Sequence, residues 1–101
     1  MSTVGLIAKL PAAVGKGSEL AEAFKVAFEH VNKESGTRYY ILHSDNSNSD
    51  LLWVYELYEN QEAATAHMSA DWFGPFAKSL APFMGGAPEM IFLTPIQGKG
   101  L

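Results

Sequence analysis

His67 and Glu56 are the two titratable residues of this sequence best suited to moving a proton. A histidine changes its charge near neutral pH, so it can take a proton from a phenol or an enol. Glu56 falls among apolar residues near the end of a predicted strand, where an ionised carboxylate is costly to bury without a partner. The two residues therefore predict general-base chemistry, with His67 as the base and Glu56 orienting either the imidazole or a substrate hydroxyl.

The same residues also fit a structural interpretation, in which His67 is a buried helix histidine bonded to Glu56. The neighbouring aromatic residues have a similar double interpretation. They could stack on a flat aromatic substrate or belong to the core. These candidate substrate-binding residues are Trp53, Tyr55, Tyr58, Trp72 and Phe73.

Other kinds of catalytic or metal site lack the residues they need. The chain has no cysteine, so it has neither a thiol nucleophile nor a thiolate ligand. Its three histidines, His30, His43 and His67, fall on separate predicted elements without a second ligand at metal-binding spacing. No G-x-S-x-G motif marks a serine nucleophile. We therefore expect no metal site.

A predicted strand at residues 51–58 carries Glu56. The segment is rich in aliphatic, β-branched and aromatic residues, as strands are. Because side chains alternate along a strand, Glu56 and Tyr58 share one face. Trp53 and Tyr55 share the other, and both faces are apolar enough to need a cover.

A predicted helix at residues 62–68 carries His67. Asn60 precedes it as a suitable helix cap. His67 follows Ala63 and Ala64 by four and three residues, so the three share one face of the helix. That face combines small residues with a single imidazole, which makes it the best candidate for one wall of a site.

The remaining segments predict the fold class. Strands are predicted at residues 4–10, 38–43, 51–58 and 89–95, and helices at 19–34, at 62–68 and in a short segment after Asp71. Ser18 and Asp71 are predicted helix caps, and Gly36 a left-handed helix end. The order β-α-β-β-α-(α)-β is that of the ferredoxin-like α+β fold with an antiparallel sheet. At 101 residues, we expect a single domain over 1–101.

The strand pattern also predicts a partner. Two or three helices cover only one face of a four-stranded sheet, yet Tyr39 and Ile41 make the second face of their strand apolar as well. The uncovered patch is larger than soluble monomers normally show. We therefore expect a homodimer through the open sheet face.

Charge and composition argue against two other classes of partner. Seven Lys and Arg residues stand against eleven Asp and Glu residues, and the net charge of −4 is not the footprint of a nucleic-acid-binding protein. No apolar run approaches the roughly 20 residues of a membrane span. The first residues lack the basic and long apolar parts of a signal peptide, so a cytoplasmic location is expected.

The run YELYENQEAATAHMSADWF resembles the signature of the antibiotic biosynthesis monooxygenase family. That signature has an aromatic-E-x-aromatic strand end, an alanine-bearing helix, an H-hydrophobic-S motif and a closing aromatic residue. Its places are filled by Tyr55, Glu56, Tyr58, Ala63, His67, Met68, Ser69 and Phe73. The segments GLIAKLPAAVGKGSELAEAF and ESGTRYYILHSD are similar to earlier parts of the family pattern, so the resemblance covers nearly the whole chain.

This resemblance implies a dimeric α+β barrel with a pocket between sheet and helices in each subunit. Members of the family include cofactor-free oxygenases of quinols and anthrones, haem degraders and an isomerase of a quorum signal. Haem degraders have a tryptophan at the place of His67, a histidine near that of Ala77 and an asparagine in the first strand. The present sequence has none of these, which disfavours haem degradation.

The main hypothesis is thus a quinol-monooxygenase-like enzyme that oxidises a small aromatic quinol or anthrone-like compound with O2. His67 takes a proton, the substrate anion passes an electron to O2, and the radical pair recombines without a metal or flavin cofactor. One alternative is an isomerase or enolising enzyme that acts through His67 on a small hydroxy-carbonyl compound. The other is a non-catalytic, ligand-binding stress-response dimer.

Overall fold

One antiparallel sheet organises residues 2–101, which the computed structural model describes. The elements are β1 (Val4–Pro11), α1 (Gly17–Ala23), α2 (Lys25–Val31), β2 (Thr37–Asp45), β3 (Asn48–Tyr58), α3 (Gln61–Ser69), α4 (Phe73–Ser79), a 3₁₀ turn (Ala81–Phe83) and β4 (Glu89–Leu93). The strand order in the sheet is β2-β3-β1-β4. All neighbouring strands are antiparallel. The predicted ferredoxin-like α+β fold is confirmed.

The helices cover one face of the sheet and form the core with it. The fully buried strand residues on that face are Leu6, Ala8 and Leu10 from β1 and Leu52, Val54, Glu56 and Tyr58 from β3. Leu20, Phe24 and Phe76 of the helical layer pack onto them, with the Phe24 and Phe76 rings edge-to-face at 5.1 Å. Each such apolar side chain contributes roughly 1.5–3 kcal/mol when it is buried. This layer holds the helices against the strands that carry the candidate site.

The predicted helix at 19–34 is two shorter helices in the structure. They meet at Phe24, where the backbone tightens: the Phe24 N–H bonds to the carbonyl of Ala21, three residues back, at 3.1 Å. Phe24 keeps a right-handed backbone, with φ −74° and ψ −10°, so the apolar stripe continues through the break. Apolar periodicity predicts the stripe correctly but does not detect such a local change in hydrogen bonding.

The two predicted ends of this helical segment are wrong. Ser18 does not cap α1, which begins at Gly17 after Lys16 without a side-chain cap. Gly36 is not left-handed, because only Gly15 and Gly100 have positive φ in the described part of the chain. A carboxylate from β3 caps α1 instead.

That carboxylate belongs to Asp50, which accepts hydrogen bonds from the backbone N–H groups of Gly15 at 2.9 Å and Gly17 at 3.0 Å. These two bonds lower the pKa of Asp50. The start of α1 is therefore tied directly to the strand that carries Glu56.

The entry to α3 follows the prediction. The Asn60 side chain accepts a hydrogen bond from the Ala63 N–H at 2.8 Å and caps the helix. By contrast, the predicted cap Asp71 is wrong, because Trp72 precedes α4 and gives no side-chain cap bond. α3 thus has a fixed start, which sets the position of His67 along its axis.

The other face of the sheet carries exposed apolar side chains. Tyr39, Ile41, Ile91 and Leu93 are each between 41% and 44% exposed. The homodimer that the sequence predicts through this open face stays a prediction. Within residues 2–101, no helix is long and apolar enough to cross a membrane.

Gly36 provides a test of how closely α3 packs on the start of β2. A Cβ atom at this position would lie 2.5 Å from the Cβ of Ala63. Gly36→Ala should therefore lower the free energy of unfolding by roughly 1–3 kcal/mol, through overpacking. Urea denaturation measures the change.

Gly74→Ala is the matched control. A Cβ at Gly74 meets nothing within 4 Å, and the residue lies inside α4. There alanine favours the helix over glycine, whereas the following Pro75 disfavours a helical alanine, so the free energy of unfolding should change by less than about 1 kcal/mol. Equal effects of the two substitutions would contradict the close packing of Gly36 against α3.

Candidate active site

A cavity of about 180 Å³ lies between the core face of the sheet and α4. It is lined by Ala8, Leu10, Phe24, Tyr40, Val54, Glu56, Phe73, Phe76, Ala77, Leu80, Pro88 and Met90. Ala77, Pro88 and Met90 are exposed, so the cavity opens to solvent on their side. Among residues 2–101, Glu56 is the only charged residue of the lining, and no lysine or arginine belongs to it.

Glu56 is 3% exposed and faces the cavity from β3. The register pairs it with Tyr40 of β2, which lines the same space. The Tyr58 hydroxyl donates a hydrogen bond to its Oε1 atom. Burial raises the pKa of Glu56 to about 7; the nearby Glu34 charge adds to this, and the Tyr58 hydrogen bond opposes it. A carboxyl group with this pKa can both take and give a proton near neutral pH.

Seen from the cavity, His67 lies behind Glu56, and it is 2% exposed. Its Nδ1 atom is 2.9 Å from Oε1 of Glu34, and its Nε2 atom is 3.9 Å from Oε1 of Glu56. An ionised carboxylate only accepts hydrogen bonds, so the contact with Glu34 places the ring proton on Nδ1. Nε2 is then the free, basic nitrogen, and it faces the cavity carboxylate.

Four aromatic rings fix the orientation of the imidazole. Their centroids lie 5.3 to 5.4 Å from that of His67, and they belong to Tyr40, Tyr58, Trp72 and Phe73. Burial raises the pKa of both tyrosines, so their hydroxyl groups stay protonated at neutral pH. Trp72 also stacks on His30, with centroids 4.9 Å apart and planes within 4°. The imidazole of His67 is thus held by packing against these rings as well as by its hydrogen bond with Glu34.

Glu34 is the site residue that the sequence did not reveal. It follows the end of α2, 33 residues before His67. The Thr37 hydroxyl donates to the same Oε1 atom at 2.8 Å. Glu34 is one of eleven acidic residues, and no spacing or apolar context distinguishes it from the others. Only the packing of α3 against the start of β2 brings it to the imidazole.

The structure does not bring Trp53 and Tyr55 to this site, which corrects the expectation that they share a substrate with His67. Both point to the open face, with the sheet between them and the cavity. Trp53 Nε1 donates to Asp45 at 3.0 Å, and the Tyr55 ring stacks on Tyr39 at 6.4 Å. The alternation of β3 that turns Glu56 inward turns these two residues outward.

Tyr58, Trp72 and Phe73 do cluster with His67, and Phe73 also lines the cavity. Their role as substrate contacts stays a prediction. In the described residues, no three histidine, aspartate or glutamate side chains form a group that could hold a metal ion.

A second, outer groove of about 570 Å³ reaches the site from the opposite side. Glu34, Thr37, Glu59 and Ala63 line it together with His67. The buried imidazole therefore lies between Glu56, which lines the cavity, and Glu34, which lines the outer groove.

The family model for antibiotic biosynthesis monooxygenase matches residues 3–79. The chain belongs to the antibiotic biosynthesis monooxygenase family. A search of curated proteins gives no match. The family membership, with the solved structures below, supports a monooxygenase-like role in general terms.

Solved structures show the same fold. A "putative antibiotic biosynthesis monooxygenase" from Caulobacter crescentus CB15 is 26% identical, with a TM-score of 0.87 over 95% of this chain and 92% of that chain. PA3566 from Pseudomonas aeruginosa is 22% identical, with a TM-score of 0.84 over 96% and 97% of the two chains. Rv0793 from Mycobacterium tuberculosis is 18% identical, with a TM-score of 0.87 over 98% and 100%. At their lower identity, the last two show the fold alone.

The tautomer of His67 tests the role of Glu34 without any substrate. Long-range ¹H–¹⁵N correlation spectra of the neutral ring should show the proton on Nδ1 in the wild type. Glu34→Ala removes the acceptor, so the Nε2–H form should become populated. Glu59→Gln is the control, because Glu59 lines the same outer groove without bonding to the ring. A tautomer that stays on Nδ1 in Glu34→Ala would contradict the assignment.

Because its pKa is raised in the folded chain, Glu56 should make the free energy of unfolding fall as the pH rises. Its pKa is about 7 in the folded chain against 4.5 for the free side chain, so between these values the folded state holds a proton that the unfolded state has lost. The resulting contribution to the free energy of unfolding is on the order of 3 kcal/mol. It is fully present below pH 4.5 and is lost as the pH rises from 4.5 through 7.

Urea denaturation at pH 5 and pH 8 measures this loss. Glu56→Gln, which cannot ionise, should abolish most of it and be more stable than the wild type at pH 8. Glu59→Gln changes an exposed carboxylate and should keep the wild-type difference. A wild-type stability that rises from pH 5 to pH 8, and does so equally in Glu56→Gln, would rule out the raised pKa.

Proposed function

We propose that this protein is a cofactor-independent monooxygenase that oxidises a small aromatic quinol or a related anthrone-like compound with O2. One observation carries the proposal: the only charged group of an apolar cavity is Glu56, which stands 3.9 Å from the free nitrogen of His67. The pair offers a base at the point where a substrate hydroxyl would be buried. The rest of the lining offers an apolar surface for an aromatic ring.

The size of the cavity favours a single ring. An apolar cavity of about 150 Å³ is sufficient to bind benzene. The 180 Å³ present here accommodates a one-ring quinol, whereas a three-ring anthrone requires the exposed side to widen. The phenol of Tyr40 stays protonated beside Glu56, so it can donate a hydrogen bond to the oxygen of a substrate anion.

Proton transfer begins the reaction. The substrate O–H gives its proton to Glu56, and the proton moves on to Nε2 of His67, so that His67 is the final base. The imidazolium then lies between two carboxylates, because Glu34 holds its Nδ1–H at 2.9 Å. The substrate remains in the cavity as an electron-rich anion.

Oxygen insertion follows from the anion. One electron passes to O2, and the resulting superoxide and substrate radical combine to form a C–O bond. The peroxide takes the proton back from His67 through Glu56. Loss of the ring hydrogen then breaks the O–O bond and releases water. The substrate gains one oxygen atom and loses two hydrogens, which leave in the water. The apolar lining keeps bulk water away from the radical pair.

The isomerase alternative fits this cavity less well. A small hydroxy-carbonyl substrate of that kind is expected to be anionic and to need a cationic partner. The cavity lining contains a carboxylate and no lysine or arginine. The geometry therefore favours a neutral substrate that becomes an anion only after it is bound.

Oxygen uptake tests the proposal. Purified wild-type protein with one-ring quinols should consume O2 well above autoxidation, in an oxygen-electrode cell. His67→Ala and Glu56→Gln should each lower kcat by about 10²- to 10⁴-fold, which is the usual contribution of a general base. Trp53→Phe, on the opposite sheet face, should keep the wild-type rate. The enzymatic rate should rise with pH and level off above pH 7, as Glu56 ionises.

The other outcomes separate the alternatives. Equal uptake in the wild type and in both site variants would refute the proposed base. Conversion of a hydroxy-carbonyl compound without oxygen would indicate the isomerase. Ligand binding that needs neither residue, with no turnover of the panel, would indicate a binding protein.

A further inference from the structure

A second apolar space lies next to the cavity. This space, the tail groove, has a volume of about 290 Å³ and is lined by Leu10, Ala77, Leu80, Ala81, Met84, Gly86 and Pro88. None of these residues has a polar side chain. Four of them, Leu10, Ala77, Leu80 and Pro88, also line the cavity. The two spaces are therefore adjacent, and two of the shared residues, Ala77 and Pro88, are exposed.

The groove is a built feature of the fold. The segment that forms its outer wall is tied to the end of β1: Gly85 N–H donates to the Pro11 carbonyl at 2.9 Å, and Met84 pairs with Ala12 in a β-bridge. A Cβ atom on Gly85 would lie 2.6 Å from the Ala12 carbonyl oxygen, so glycine permits this close approach. The wall is thus held in place by backbone contacts.

We propose that the substrate carries an alkyl or isoprenoid tail on its aromatic ring, and that this tail lies in the tail groove. The inference rests on the proposed function, since it takes the ring to occupy the cavity with its hydroxyl at Glu56. From Glu56 outward, the space changes from a single polar end to an entirely apolar one. A molecule that matches this gradient has a phenolic head and a hydrocarbon tail.

The apolar lining selects the chemical class of the tail. A polar or charged substituent would lose its hydration in the groove and find no side-chain partner. A hydrocarbon gains from each methylene group that leaves water. Ala77, Ala81, Gly86 and Pro88 are exposed, so the tail is covered on one side and the gain per methylene stays below that of full burial.

Binding of 4-alkylphenols tests the groove independently of turnover. Isothermal titration of the wild type with a series from phenol to 4-hexylphenol should show Kd falling with every added methylene. The step is about twofold, with an upper limit near fourfold for complete burial. The series should level off once the groove is filled.

Two variants place a charge in the groove but not in the cavity. Ala81→Asp and Gly86→Asp are both at exposed positions, and a Cβ on Gly86 meets only ordinary contacts, the nearest at 3.6 Å. Both should remove the dependence of Kd on tail length while the affinity for phenol itself stays unchanged. Ala87→Asp puts the same charge on the same loop at a position that lines neither space, and should keep the dependence.

A Kd that does not vary with tail length in the wild type would overturn the proposal, and so would a dependence that survives in both groove variants. This binding experiment and the oxygen-uptake experiment can fail independently of each other. Tail-dependent binding without oxygen uptake supports the groove and refutes the oxygenase. Uptake with one-ring quinols but no effect of the tail supports the oxygenase and refutes the groove.

Discussion

The structure of this site depends on burying one carboxylate, that of Glu56. Removing such a group from water carries a cost that only partners can offset. Tyr58 on the same strand donates a hydrogen bond, and His67 approaches from α3 with its own carboxylate, Glu34, behind it. Three separate elements of the chain must therefore meet at one point. The raised pKa of Glu56 shows that the cost is only partly offset, and it makes the group a useful proton acceptor.

The sequence predicted those parts of the fold that follow from regular patterns. Alternation along residues 51–58 assigned the correct face to each side chain, and Asn60 fixed the start of α3. The same alternation places Trp53 and Tyr55 on the sheet face opposite Glu56, so aromatic character alone does not bring a residue to the site. The pairing of His67 with Glu34 cannot be predicted from the sequence pattern, because tertiary packing joins these residues 33 positions apart.

Family membership and the local geometry address different questions. The family match fixes the fold and a monooxygenase-like role in general, but one fold supports many reactions. The choice of substrate depends on the cavity: its single acid, its lack of a cation and its apolar walls. These features support the proposed substrate, a neutral aromatic alcohol that would ionise only inside the protein. The two carboxylates on either side of His67 then provide a place for the proton.

The cap that Asp50 supplies to α1 has a consequence for the order in which the chain folds. The helix has seven residues, too few to be stable alone in water. The N–H of its first residue, Gly17, and that of Gly15 just before it find their acceptor on β3, more than thirty residues later. α1 therefore gains its cap only after β3 has docked beside β1. The first helix of the chain therefore depends on the third strand for the bonds at its start, although its own residues are synthesised long before that strand.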